Sequence, residues 1–156
     1  GARGQLLPKL RGFFKIGLRE ANFDDSVVNR NGNTSLGLDA NLKWSATPKT
    51  LVTLTLGRDL AVGGEGDSTE NTSVAVSANY FINLNWSAFT SLSMTTREFQ
   101  AGTREDELTG FSLGANYRLN EYWSFRGGYS YTENDSNQAI RDFDNNSFSL
   151  SASLRY

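Results

Sequence analysis

Polar and apolar residues alternate with a period of two along most of the chain. Because successive side chains of a β-strand point to opposite faces, this alternation predicts strands with one polar and one apolar face. Helix-period stretches are absent, and eight alternating segments predict an all-β protein of eight strands. Segment five is less regular, since Phe89 falls on its polar face. The segments are Phe13–Ala21, Asn33–Trp44, Thr50–Asp59, Thr72–Tyr80, Trp86–Arg97, Leu108–Arg118, Tyr122–Thr132 and Asn146–Tyr156.

The connections between these segments are alternately short and long. The short ones are Ser45–Lys49, Phe81–Asn85 and Leu119–Glu121. The long ones are rich in Asp, Asn, Glu and Gly, and they are Asn22–Gly32, Ala61–Asn71, Glu98–Glu107 and Glu133–Asn145. Short turns on one side and long polar loops on the other are typical of an outer-membrane barrel, with periplasmic turns and extracellular loops. An even strand count places both chain ends on the short-turn side.

An aromatic residue stands at the short-turn end of nearly every predicted strand. Trp and Tyr are favoured where a strand leaves hydrocarbon and meets lipid headgroups, because their rings combine an apolar body with a polar edge. We therefore expect these residues to form an aromatic belt at the membrane interface. The belt consists of Trp44, Tyr80, Trp86, Tyr117, Trp123 and Tyr156.

Alternation alone does not separate a membrane barrel from a soluble one, because a soluble barrel alternates equally well with its apolar face inward. Two features favour the membrane. The polar faces of Thr72–Tyr80 and Asn146–Tyr156 are almost uncharged, and the apolar faces carry no charge between their aromatic ends. A Lys or Arg on the lipid face at the bilayer midplane costs about 2–4 kcal/mol. A soluble, lipocalin-like binder is the lowest-ranked alternative.

The composition excludes several classes of function. The 156 residues contain no cysteine and no histidine, which excludes disulfides, zinc sites with those ligands and His-based acid–base catalysis. The mean hydropathy is −0.46 and no long apolar run occurs, so a transmembrane helix is excluded as well. The net charge of −2 provides no basic field of the kind that marks a nucleic-acid binder. We therefore expect that the protein is not an enzyme and that it has no cofactor, no metal site and no nucleic-acid partner.

Charged residues on the polar faces are the candidate functional residues, because these faces line the lumen of a membrane barrel. An eight-stranded barrel has a narrow interior filled by side chains, and here the inward acids are too few to pair the inward bases. Since an unpaired buried Arg is costly and an Arg in a water-filled pore is not, the set favours a wider, wet barrel with further strands. The predicted lumen residues are Lys15, Arg19, Asp39, Lys43, Asp59, Arg97, Arg126 and Arg155.

Short motifs from the end of the second predicted strand to the start of the last one carry a family resemblance. They are Leu42-Lys43-Trp44-Ser45 with Pro48-Lys49-Thr50, Arg104-Glu105-Asp106, Gly114-Ala115-Asn116-Tyr117-Arg118-Leu119, Tyr129-Ser130-Tyr131 with Ser136-Asn137, and Asp142-Phe143-Asp144-Asn145-Asn146. In these motifs the chain resembles the C-terminal part of the second β-barrel porin family, whose members are often encoded with exopolysaccharide synthesis and export machinery. Members are usually longer, so the resemblance implies the C-terminal half of a larger barrel.

These observations predict an antiparallel up-and-down transmembrane β-barrel, a single domain over residues 1–156 or half of a larger one. The predicted function is a porin-like channel of the Gram-negative outer membrane, for passage or export of anionic polysaccharide or small anions. The alternative is a closed eight-stranded barrel that acts as an anchor or adhesion platform through its extracellular loops. Expected partners are the lipid bilayer, lipopolysaccharide, the assembly machinery through the C-terminal strand, and further barrel strands or export components.

Overall fold

The structure, a computed structural model, describes residues 1–21, 33–62, 68–99 and 103–155. Its strands form one antiparallel sheet of nine, in which each strand pairs with the next along the chain. This order confirms the predicted all-β, up-and-down fold class. The strands are β1 (Ala2–Leu7), β2 (Leu10–Ala21), β3 (Asn33–Thr47), β4 (Thr50–Val62), β5 (Ser68–Phe81), β6 (Trp86–Phe99), β7 (Glu105–Arg118), β8 (Trp123–Ser136) and β9 (Phe143–Leu154). A short 3-10 helix, Ala139–Arg141, lies between β8 and β9.

The predicted strand number of eight is too low by one. Strands β2 to β9 correspond to the predicted segments, and β1 is an additional strand. The alternation did not reveal β1 because it has only six residues, and its two leucines, Leu6 and Leu7, are adjacent at a register irregularity. β1 begins opposite Phe14, halfway along β2, and not on the short-turn side where both chain ends were expected.

Most strands extend further toward the long loops than the alternation predicts. β4 continues to Val62 and β6 to Phe99, and their last residues remain paired with neighbouring strands. β7 likewise begins before its predicted start at Leu108, and its Asp106 lies opposite Arg97 on β6. Backbone hydrogen bonds do not depend on the polarity of the side chains, so strand pairing continues where alternation has stopped. Three of the four long connections are correspondingly shorter than expected, whereas the first, residues 22–32, keeps its predicted bounds and lies outside the described residues.

The described residues do not close the sheet into a barrel, because β1 and β9 do not pair with each other. The outer edge of β9 is open along its length, and its Phe148 and Leu150 are 82% and 85% exposed. At the other edge, β1 covers β2 only as far as Phe14. The nine strands therefore do not form the closed eight-stranded barrel of the alternative prediction.

Apolar side chains do not gather into an interior core. Among the described residues, Ala40 is the one buried apolar residue. Large apolar side chains in the middle of the sheet, such as Val76, Leu92 and Leu113, are 43–51% exposed. In the part of the chain that the structure describes, no helix has the length and apolar character needed to cross a membrane.

Candidate functional site

The polar face is the more enclosed of the two faces of the sheet. On β5 and β6, Ser73, Ser77 and Ser91 on the polar face are half-buried, whereas Val74 and Leu92 on the apolar face are exposed. A flat sheet with solvent on both sides would expose both faces alike. The difference indicates that the sheet curls around its polar face, which makes this face the candidate functional site.

A row of hydroxyl side chains crosses the polar face from β4 to β9. The register places six Ser or Thr residues directly opposite one another on consecutive strands, and they are Thr53, Ser77, Ser91, Ser112, Ser130 and Ser147. The hydroxyl oxygens of Ser91 and Ser112 are hydrogen-bonded at 2.7 Å. Such small side chains leave space above the sheet, and each hydroxyl both donates and accepts hydrogen bonds. This hydroxyl row suits water or a polyhydroxylated solute.

Two of the predicted lumen residues form an ion pair. Lys15 on β2 lies opposite Asp39 on β3, with Nζ and Oδ2 3.8 Å apart. The Lys15 ammonium also lies 5.1 Å from the centre of the Phe13 ring. Both charged side chains are largely exposed, so the pair contributes at most about 1 kcal/mol to stability. Its main effect is to remove net charge from the middle of the face.

The other predicted lumen residues are spread along the polar face. Asp59 and Arg97 lie at the long-loop end, on either side of Asn71 of β5. Lys43, Arg126 and Arg155 lie toward the short turns. Arg19 belongs to β2, and its side chain lies outside the described part of the structure.

Basic side chains dominate the short-turn half of the polar face. Six of them stand on or next to the outer strands β1–β3 and β7–β9, and they are Arg3, Arg11, Lys43, Arg118, Arg126 and Arg155. In the described residues, no Asp or Glu of a strand shares that half of the polar face. Sequence reasoning missed Arg3 and Arg11 because β1 was not predicted and β2 was predicted to begin at Phe13. It left Arg118, at a strand end, without an assigned face.

Arg126 is held against an aromatic ring on the polar face. Its guanidinium carbon lies 4.2 Å from the centre of the Phe89 ring. A cation over an aromatic face is favoured by about 0.5–1 kcal/mol at an exposed site. Phe89 lies over Gly114 on β7, where an added Cβ would meet the ring tip at 2.4 Å, and Gly128 follows in the same row on β8. The two glycines make room for the ring, which explains the irregular polar face of β6.

A cluster of polar groups surrounds Asp106 at the long-loop end of β7. The Asp106 carboxylate accepts hydrogen bonds from Arg104 Nε at 3.0 Å and from Ser136 Oγ at 2.6 Å, and the residue is only 2% exposed. It lies beyond the apolar band of β7, and the hydrogen bond from Arg104 lowers the pKa of Asp106. Because the two charges offset each other, this cluster adds little net charge to the polar face.

No metal site accompanies these groups in the described segments, where no three Asp or Glu side chains stand close enough to hold an ion together. The acids of the polar face are instead distributed over separate strands. Asp39 faces Lys15, and Asp106 faces Arg104. The arrangement therefore offers charge and hydroxyl groups along a surface and no coordination sphere.

The aromatic residues of the predicted belt lie on the opposite, exposed face. Trp86 and Tyr117 stand directly opposite each other and stack, with ring centres 4.6 Å apart. Trp123 stacks on Phe125, whose ring lies 6.5 Å from that of Tyr117. These contacts join the aromatics of β6, β7 and β8 into one surface at the short-turn ends. Of the six belt residues, Tyr156 lies outside the described residues.

The tilt of the strands follows from the register positions of the belt aromatics. From Trp44 on β3 to Tyr80 on β5, and again to Tyr117 on β7, the position moves two residues along the register for every two strands. Two residues span about 6.8 Å and two strands about 9.6 Å, which corresponds to a strand tilt of about 35° if the belt is level. Barrel strands are tilted by about 35–45°.

A family model and a solved structure resemble the chain. A family model described as "Putative beta-barrel porin 2" matches residues 1–156. A solved structure described as "CymD monoaromatic hydrocarbon channel" is similar over 89% of this chain and 50% of that one, with 14% identity and a TM-score of 0.43. The chain thus spans half the length of that structure. No curated protein matches the chain.

Proposed function

The chain belongs to this family of β-barrel porins, and we propose that it forms part of the wall of a hydrated channel in the bacterial outer membrane. The observation that carries the proposal is the inverted arrangement of the sheet, with polar side chains on the enclosed face and apolar ones exposed. In water, such exposure of Val76, Leu92 and Leu113 would be costly. In a bilayer, the same face is the one that lipid chains cover.

The two faces then have separate roles in the proposed channel. The aromatic belt marks the periplasmic interface, where Trp and Tyr rings sit at headgroup level. The polar face lines the water-filled lumen, with the charged residues predicted from the sequence and with Arg3, Arg11 and Arg118 in addition. Transport is diffusion through this lumen and involves no chemical step.

We propose that the channel prefers anions. The support is the group of six basic residues on the short-turn half of the polar face, while Asp39 and Asp106 further out are each paired with a base. Rings of Arg and Lys side chains select for anions in pores because they raise the local concentration of negative solutes. The periplasmic half of the lumen is therefore the selective part.

Charge reversal at two of these positions tests the selectivity. Arg126→Glu with Arg155→Glu replaces two cations of the lumen by anions, so we expect the preference to move from anions toward cations. The measurement is the reversal potential of the reconstituted protein in a planar bilayer under a KCl gradient. Heat-modified migration on gels reports whether the variant is still folded, since Arg126 also contacts Phe89.

A control pair separates lumen charge from net charge. Lys9→Glu with Lys49→Glu makes the same change of net charge in the short turns β1–β2 and β3–β4, outside the strands. We expect its reversal potential to stay close to that of the original protein. If the Arg126 and Arg155 variant is folded and also leaves the reversal potential unchanged, the proposed anion preference is wrong.

The solute that we propose is an anionic polysaccharide or a small anion. The hydroxyl row favours a polyhydroxylated solute, because its side chains exchange hydrogen bonds with hydroxyl groups as readily as with water. The basic half of the lumen favours negative charge on that solute. The family resemblance, with its link to exopolysaccharide export, points the same way.

The proposed partners follow from the exposed parts of the sheet. The apolar face would contact lipid, and the long-loop side would contact lipopolysaccharide. Within the described residues, the outer edges of β1 and β9 have no partner strand. Unpaired backbone groups are costly in hydrocarbon, so we propose that further strands pair with these edges. We propose that β9 is also the strand that the outer-membrane assembly machinery recognises.

A further inference from the structure

A groove of about 340 Å³ lies on the polar face near the short-turn ends of β2 and β3, beside Arg3 and Gly4 in the first half of β1. Its lining includes the cations Arg3, Arg11 and Lys43, with Phe13 and Asn41 between them, and contains no acidic residue. Ligand pockets commonly have volumes of about 300–1,000 Å³, so this basic groove is large enough for a small solute group.

Two like charges face each other across this groove. Arg11 on β2 lies directly opposite Lys43 on β3, and Arg3 of β1 stands on the diagonal to Arg11. Side chains at directly opposite positions have Cβ atoms about 4.5–5.5 Å apart, and like charges there destabilise a sheet. A sequence that keeps such a pair on a strand must offset the repulsion with water or with an anion.

Most other cations of the polar face have partners within the protein. Lys15 pairs with Asp39, Arg126 lies on the Phe89 ring, and Arg118 donates a hydrogen bond to a backbone carbonyl. In contrast, neither Arg11 nor Lys43 has a hydrogen bond or an ion pair from its side chain within the described part of the chain. The basic groove thus brings two unpaired positive charges directly opposite each other.

Phe13 arranges the cations around the groove. Its ring lies in the lining, with the Arg3 guanidinium carbon 5.5 Å and the Lys15 ammonium 5.1 Å from the ring centre. These contacts hold Arg3 beside the ring by cation–π attraction. The Asn41 side chain, which donates a hydrogen bond to Thr55 Oγ1 at 3.0 Å, carries no charge and so does not neutralise either cation.

We propose that the basic groove binds one anionic group of a solute in the lumen, a carboxylate, sulfate or phosphate. Arg11 offers a planar fork of donors to two oxygens of such a group, and Lys43 contributes a point charge beside it. The inference deepens the proposed function, since it names the place and the ligand class of the anion preference. Because the groove is open to solvent, binding is weak enough to allow release, as conduction requires.

The test is a direct binding measurement that does not depend on conduction. Tri-galacturonate, an oligosaccharide with three carboxylates, is titrated calorimetrically into the detergent-solubilised protein at low salt, and neutral maltotriose serves as the matched uncharged probe. We expect binding of tri-galacturonate only, and binding that weakens steeply with added salt.

Variants then locate the binding site. Arg11→Gln with Lys43→Gln should weaken tri-galacturonate binding by about tenfold or more, the scale of one lost hydrogen bond to a charged group. Lys9→Gln with Lys49→Gln removes two cations from the neighbouring turns and should leave the affinity within about twofold. Gel mobility with and without heating confirms that each variant is folded.

The inference is overturned if tri-galacturonate does not bind, if maltotriose binds equally well, or if the Arg11 and Lys43 variant binds with unchanged affinity. It is also overturned if the turn variant loses as much affinity as the groove variant, since net charge alone would then explain the binding. Conductance of the original protein is measured separately. Groove binding without conductance would support the anion site and contradict the proposed channel. Anion-selective conductance without groove binding would support the channel and contradict the anion site.

Discussion

Phe89 departs from the polarity pattern of its strand, and the reason lies on the neighbouring strand. Its ring covers Gly114 and carries the Arg126 guanidinium on top. The residues next to Phe89 in the sequence do not predict these contacts, because Gly114 and Arg126 lie on β7 and β8, far from Phe89 along the chain. The sequence could predict that an aromatic residue faces inward here, but it could not predict which glycine makes room for it.

The space above Gly114 leads to a prediction at the residue scale. An added Cβ at this position would come within 2.4 Å of the Phe89 ring tip and of the Gly127 carbonyl oxygen. Since the backbone oxygen cannot move independently of the sheet, Gly114→Ala should destabilise the protein by about 1–3 kcal/mol. The measurement is the midpoint of thermal unfolding in detergent, which should fall.

Gly17 supplies the matched control on β2. An added Cβ there meets no atom within 4 Å, so Gly17→Ala should leave the unfolding midpoint close to the original value. A Gly114→Ala variant as stable as the Gly17→Ala variant would show that the ring does not sit tightly on this glycine. The double variant Gly114→Ala with Phe89→Ala should lose less stability than the sum of the two single variants, because the contact between the new Cβ and the ring is then absent.

At the scale of elements, alternation predicts strands well where one face is apolar and poorly where both faces are mixed. Strands β2 to β9 each carry a clear apolar face, and all eight were predicted. The two leucines of β1 are adjacent at a register irregularity, and the apolar faces of β4 and β6 are interrupted by Arg58 and Glu98 before the strands end, so these parts were missed. Their pairing depends on backbone hydrogen bonds, which leave no trace in the side-chain pattern.

The assignment of the two faces makes a prediction for β7. Leu113 lies on the exposed face, four residues from Tyr117, and Ser112 is its neighbour on the polar face. Leu113→Arg places a charge in the hydrocarbon, so it should destabilise the protein folded into lipid vesicles by about 2–4 kcal/mol. Ser112→Arg places the same charge in the lumen and should cost less than about 1 kcal/mol.

The two variants control each other, because they add the same side chain to adjacent residues of one strand. Denaturant titration of the protein folded into vesicles gives both free energies. Equal losses in the two variants, or a larger loss for Ser112→Arg, would mean that the polar face is not the one in contact with water. Either result would contradict the proposed orientation of the sheet in the membrane.

On the scale of the whole molecule, charge and polarity are arranged in layers along the strands. Acids that are paired with bases lie between the middle of the face and the long loops. The hydroxyl row crosses the sheet, and the short-turn half holds unpaired and ring-bound bases. The sequence alone placed most of these side chains on one face. It could not bring Arg11 opposite Lys43, because that contact depends on the register between β2 and β3 and on a start of β2 that alternation did not show.

The central claim is that this layered face lines an open, anion-preferring channel. The most direct measurement is the reversal potential of the protein, extracted gently from outer membranes without heating, in a planar bilayer under a KCl gradient. The account predicts discrete conductance steps with a reversal potential displaced toward that of chloride. Stable insertion without conductance, or a reversal potential displaced toward that of potassium, would contradict it.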